Sequence, residues 1–141
     1  MPGIPVLGRK PDGQGFRNVE THPADETYPG LLVVRFDAGL FFVDADALED
    51  RLRTLAHDAE SKFEVIVLDF EGVNYMDSQG SGSVQNVHDL VQNYGAELRL
   101  ARVKPAPLEI LRSDGVVDSI GERQIHDTVY EATEDRIKAS A

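Results

Sequence analysis

The segment Asp77-Ser78-Gln79-Gly80-Ser81-Gly82-Ser83 gathers a carboxylate, three hydroxyls and two glycines into seven residues. It follows an apolar run and precedes a stretch of helical periodicity, so it reads as the start of a helix. A helix start presents unpaired N–H groups and the positive end of the helix dipole, which attract a phosphate or a carboxylate. Glycines let the backbone come close to a ligand. Arg102 and Lys104 leave the next strand at the same edge of the expected sheet and would bring positive charge to a bound anion. The candidate anion-binding set is therefore Asp77, Ser78, Gln79, Gly80, Ser81, Gly82, Arg102 and Lys104. The same letters have a plainer reading, in which Asp77 or Ser78 caps the helix and the glycines serve a tight turn. Both readings stand at this point. The chain has no Walker-type lysine pattern and no G-x-G-x-x-G after a strand, so nucleotide hydrolysis is not supported.

Other reactive side chains point away from catalysis. The four histidines are His22, His57, His88 and His126, and no two have the i, i+4 spacing of a helical metal site. His88 shares a helical face with Val84, Val87 and Val91, which predicts a half-buried, hydrogen-bonded imidazole. Ser78, His88 and Asp69 supply the letters of a hydrolytic triad, but no G-x-S-x-G elbow accompanies them. No catalytic residue and no metal ligand is assigned, and the expectation is a binding module rather than an enzyme.

The bulk numbers narrow the partners. The chain has 141 residues, one domain's length, and 41% hydrophobic residues, enough for a sizeable core. It carries 25 acidic against 14 basic residues, a formal net charge of -11. That surface repels DNA, RNA and anionic headgroups. The absence of cysteine excludes disulfides, thiol catalysis and cysteine-ligated zinc. No apolar run approaches the roughly 20 residues needed to cross a bilayer, and the N-terminus lacks the apolar core of a signal peptide.

These residues need a scaffold, and hydrophobic period supplies one. Five of the seven prolines (Pro2, Pro5, Pro11, Pro23, Pro29) fall in the first 30 residues, a region of linker, turns and an edge strand over Phe16–Glu20. Leu31–Phe36 is a Val-rich run of strand length, and Leu40–Val43 a second, shorter one. Asp44 is placed to cap a helix whose stripe is Ala45, Leu48, Leu52, Leu55 and Ala59. Glu64–Phe70 is continuously apolar at its centre, as in a parallel strand buried on both faces. A helix with Val84, Val87, Val91 and Tyr94 inward ends at Gly95. Glu97–Val103 alternates as a strand, and Pro105 and Pro107 open a short helix. Val116–Ile120 and Gln124–His126 read as short connecting or strand pieces, and Thr128-x-x-Glu131 is the capping box of a last helix. Strands alternating with helices predict an α/β fold: a mixed, mostly parallel sheet of four to five strands with about four helices. The tight Tyr28-Pro29-Gly30 turn suits an antiparallel first hairpin.

In order along the chain, Val6-Leu7-Gly8-Arg9, Pro29–Asp37, Leu40–Ala45, the strand and loop from Val65 to Gly80, and Glu97–Pro105 resemble the STAS domains (sulfate transporter and anti-sigma factor antagonist) of SulP-type anion permeases. Asp44 stands where that family usually has Asn, which keeps the cap chemistry. The resemblance implies a STAS fold over residues 16–141, with residues 1–15 as the linker from a preceding transmembrane region. It implies a regulatory domain on the cytoplasmic face of the membrane, partnered by the transmembrane domain of its parent sulfate transporter, a second STAS copy or a regulatory protein. It also brings GDP or GTP forward as a ligand of residues 77–83. A free-standing anti-sigma factor antagonist is the alternative. In antagonists the phosphorylated serine follows the first serine directly, and here Gln79 occupies that place, leaving Ser78 and Ser81 as flanking phosphorylation candidates.

Overall fold

The computed structural model describes residues 4–36, 40–41, 45–59 and 62–140. In chain order the elements are β1 (Leu7–Arg9), β2 (Phe16–Asn18), β3 (Leu31–Arg35), β4 (Leu40–Phe41), α1 (Ala45–Asp58), β5 (Val65–Asp69), β6 (Tyr75–Met76), α2 (Ser78–Tyr94), β7 (Glu97–Ala101), α3 (Pro105–Ser113), α4 (Val116–Ile120), β8 (Ile125–His126) and α5 (Val129–Ala139). The central sheet has the order β3-β5-β7-β8 and every pairing in it is parallel. Each crossover advances one strand in the same direction. Right-handed crossovers therefore stack α1, α2 and the α3–α4 pair on one face, and α5 returns across the other.

The pleat divides the core accordingly. Leu32, Val34, Ile66, Leu68, Leu98 and Leu100 pack with α1 to α4. Their neighbours Leu31, Val33, Val65, Val67 and Ala101 pack with Val129 and Ala132 of α5 and with Leu7 of β1. All five residues of β5 are buried, the two-sided burial its apolar run predicts. On α2, Val84, Val87 and Val91 are at most 1% exposed. Gly95 ends that helix at φ 91°, where the Gly95 N–H reaches Gln92 O and the Ala96 N–H reaches Val91 O, a paired C-terminal closure that favours glycine. Thr128 caps α5 by accepting from the Glu131 N–H at 3.0 Å.

Three sequence expectations change. The antiparallel hairpin is β1–β2, turned at residues 11–14, not a hairpin at Tyr28-Pro29-Gly30. That latter turn instead delivers the chain into β3, which makes an antiparallel bridge at Val6–Val34. Val116–Ile120 is the helix α4, because Val116, Val117 and Ile120 fall on one buried face when the five residues coil; such a short apolar run has no period long enough to tell helix from strand. Residues Leu7–Arg9 form a strand in the region read as linker. Asp44, Gly39 and Phe42 lie outside the described residues, as do the side chains of Leu40 and Phe41. Among the described residues no helix is long and apolar enough to cross a membrane.

Charge pins α5 to the sheet. Arg99, 9% exposed, donates to Asp135 at 2.6 and 3.0 Å, to Glu97 at 2.8 Å and to Ala132 O at 2.9 Å. A buried guanidinium needs such partners. Beside it, burial and then the charge of Arg99 push the His126 imidazole below its ordinary value of 6.5, while Glu131, Asp135 and Glu97 pull the other way. The unfolded chain therefore takes up a proton at His126 before the folded chain does. Stability is full above pH 6.5 and falls as pH drops below it. Urea midpoints measured at pH 7.5 and 5.5 should fall for the wild type and fall less for His126→Gln.

Candidate functional site

The candidate segment sits at the rim formed by the C-terminal ends of β5 and β7. β6 carries the chain up to Asp77, and α2 starts at Ser78. Asp77 has extended backbone and its Oδ1 accepts from the Gly80 N–H at 2.8 Å, the N-cap geometry the plainer reading expects. Replacing Asp77 with Ala removes that acceptor. The expected result is a loss of about 1 kcal/mol, read as a lower urea midpoint at unchanged slope.

The serines differ in access. Ser78 and Gln79 are exposed, and Gly82 faces open space. Ser81 is 1% exposed. Its hydroxyl hydrogen-bonds Asp114, at the corner between α3 and α4, and Ser78 O at 3.0 Å. Ser83 is turned in upon its own helix, donating to Gln79 O at 3.1 Å. Two carboxylates of the chain itself, Asp77 and Asp114, therefore already stand at the first turn of α2, where the helix dipole favours negative charge.

The two cations at this rim are engaged. Arg102 donates from Nε to Asp69 Oδ1 at 3.0 Å and from Nη2 to Asp69 Oδ2 at 2.6 Å. Asp69 is 0% exposed, and its Oδ1 also accepts from the Glu71 N–H at 3.0 Å. Arg102 holds this fork with φ at 57°, the left-handed region that non-glycine residues seldom enter. Lys104 Nζ donates to Asn74 Oδ1 at 2.6 Å, tying the exit of β7 to the residue before β6. The structure thus brings Arg102 and Lys104 to the rim that holds residues 77–83, with their donors on Asp69 and Asn74.

The letters of a hydrolytic triad do not meet. Asp69 is held by Arg102, and His88, 4% exposed, has its Nδ1 3.4 Å from Ser119 Oγ on α4. Sequence reasoning missed three features of the rim. The Asp69–Arg102 pair was signalled by a lone carboxylate in an apolar strand, which demands a partner once buried. The Ser81–Asp114 contact joins residues 33 apart and had no local signal. Tyr75, 56% exposed on β6, is the third, a large aromatic left in water two residues before the cap.

A family model described as STAS domain matches residues 22–132. The chain belongs to the STAS domain family. Among curated relatives, this STAS domain is 28% identical over 141 residues to the probable sulfate transporter 4.2 of Arabidopsis thaliana, covering 91% of this chain and 21% of that protein. It spans about a fifth of the length of the sulfate transporters it matches. In fold it is similar to the murine Slc26a9 anion transporter in the inward-facing state, with TM-score 0.81 at 15% identity, covering 96% of this chain and 22% of that one. It is also similar to the unphosphorylated anti-sigma factor antagonist SpoIIAA, with TM-score 0.57 at 19% identity, covering 83% of this chain and 96% of that one.

Proposed function

We propose that this STAS domain is a non-catalytic regulatory module of a SulP-type anion transporter. It sits on the cytoplasmic face of the membrane and meets the transmembrane part of its parent through the rim that carries Tyr75. The observation that carries this reading is the coverage: nine-tenths of the chain aligns with a fifth of a sulfate transporter. The site supports contact more than chemistry. Asp77 and Asp114 occupy the helix start, Arg102 is held by Asp69, and an exposed tyrosine stands beside them; aromatic side chains of this kind anchor protein interfaces. The coding sequence upstream of residue 1 tests the module: about ten or more apolar helices of roughly 20 residues are expected, and a gene lacking them overturns it. For the docking face, Tyr75→Ser in the full-length transporter should lower sulfate uptake into vesicles severalfold, with the melting temperature of the 141-residue chain unchanged. Unaltered uptake rejects Tyr75 as an anchor.

The alternative is a free-standing antagonist that works by protein contact, favoured by its fold similarity to SpoIIAA. Gln79 at the acceptor position speaks against its phosphoswitch, leaving exposed Ser78 as the accessible hydroxyl. A guanine nucleotide at residues 77–83 is favoured by the open space over Gly82 and opposed by the two carboxylates. Amide shifts in that segment at millimolar GDP or GTP would support it, and their absence rejects it.

A further inference from the structure

At the opposite end of the sheet, α1 and α2 diverge and leave a groove of about 290 Å³. Its floor is Ile66, the second residue of β5, and its walls are Leu52 and Ala56 of α1 and Leu90, Val91 and Tyr94 of α2. The remaining lining residues are Arg53 and His57, one turn apart on α1. Natural cores leave few gaps of this size. An apolar wall offers water too few partners to hold it.

The charge on the groove's own lining runs against that of the molecule. The chain has 25 acidic and 14 Lys and Arg residues, yet Arg53 is the one Lys, Arg, Asp or Glu side chain among the residues that line the groove. A second cation lies alongside, with Lys62 Nζ 5.5 Å from the centre of the Tyr94 ring. The carboxylates near Arg53 are loosely placed, with Glu49 at 3.6 Å and Asp50 at 4.0 Å, and the Arg53 side chain is 62% exposed. His57 has Asp58 at 3.2 Å, both well exposed. Exposed pairs of this kind hold their partners weakly, so a carboxylate delivered by a ligand exchanges with them at little cost.

We infer that this groove binds a single-chain aliphatic carboxylate. The chain lies on Leu52, Ile66, Leu90 and Val91, and the carboxylate takes hydrogen bonds from Arg53. The site is separate from the Tyr75 rim and does not depend on the transporter reading.

Decanoate is the probe, titrated into the 141-residue chain and followed by amide and methyl NMR shifts. Shifts confined to Ala56, Ile66, Leu90, Val91 and Tyr94 are expected. Arg53→Glu, a change at an exposed position, should weaken decanoate about tenfold, the worth of one charge-assisted hydrogen bond. Ala56→Leu should weaken it by filling the groove. Decyltrimethylammonium, with the same tail and the opposite head, should bind the wild type more weakly than decanoate. Equal binding of the two overturns the proposal, as does the absence of shifts at millimolar decanoate. Concentration-dependent shifts at the same residues in the free protein also overturn it, because a second copy would then be the occupant.

Discussion

Arg102→Met should destabilise the domain by about 3 kcal/mol, among the largest losses available to a single change away from the apolar core. The cause is not the loss of a surface ion pair. Asp69 is 0% exposed, and both of its carboxylate oxygens accept from Arg102. With the guanidinium gone, a buried carboxylate keeps the Glu71 N–H alone of the donors described here. Because the Arg102 side chain is 35% exposed, water partly replaces it, which holds the cost near the lower end for a broken buried pair. The double variant Asp69→Asn/Arg102→Met separates the causes. It keeps an acceptor for the Glu71 N–H and removes the stranded charge, so it should recover most of the loss. Urea unfolding of the three variants reads this directly. If the double variant is as unstable as Arg102→Met, the buried-charge account fails. Arg102→Lys should recover only part, since one ammonium cannot reproduce the fork from Nε and Nη2.

The other large effect lies one residue further along the same strand end. Phe70→Ala should cost about 4 kcal/mol. Phe70 is 0% exposed and meets Phe36 edge to face, with ring centroids 5.3 Å apart and planes at 84°. Its N–H donates to Ala101 O and its carbonyl accepts from the Val73 N–H, both at 2.9 Å, so the side chain anchors the turn that leads up to Asp77. A double-mutant cycle with Phe36→Ala should return a coupling of about 1 kcal/mol beyond area burial. A coupling near zero would assign the whole effect to apolar burial. Amide shifts of residues 77–83 in Phe70→Leu, which keeps most of the volume, report whether the rim feels the change.

What was legible in the sequence follows from how far each signal reaches. The stripe Val84, Val87, Val91 and the stop at Gly95 are set within one helix, and the structure shows both. The unbroken apolar run of β5 announced burial on two faces, because only a strand covered on both sides is left without polar alternation. The α4 segment was ambiguous, because five residues cannot display a period. At the rim the residue types were visible and their state was not. Asp77 was readable as a cap, while Arg102, read as a cation facing an incoming anion, turned out to be held by Asp69.

By itself, then, the sequence determined the alternation of strands and helices, the two-sided core strand, a helix start capped by Asp77 or Ser78 and the acidic balance, because each rests on neighbours a few residues apart or on composition. The tertiary structure alone decided that Arg102 closes on Asp69 across 33 residues, that Asp114 reaches Ser81 across the same separation, that Tyr75 stays in water, and that α1 and α2 part over Ile66. Those outcomes depend on strand order and helix packing, which bring distant segments together in a register that local pattern does not encode.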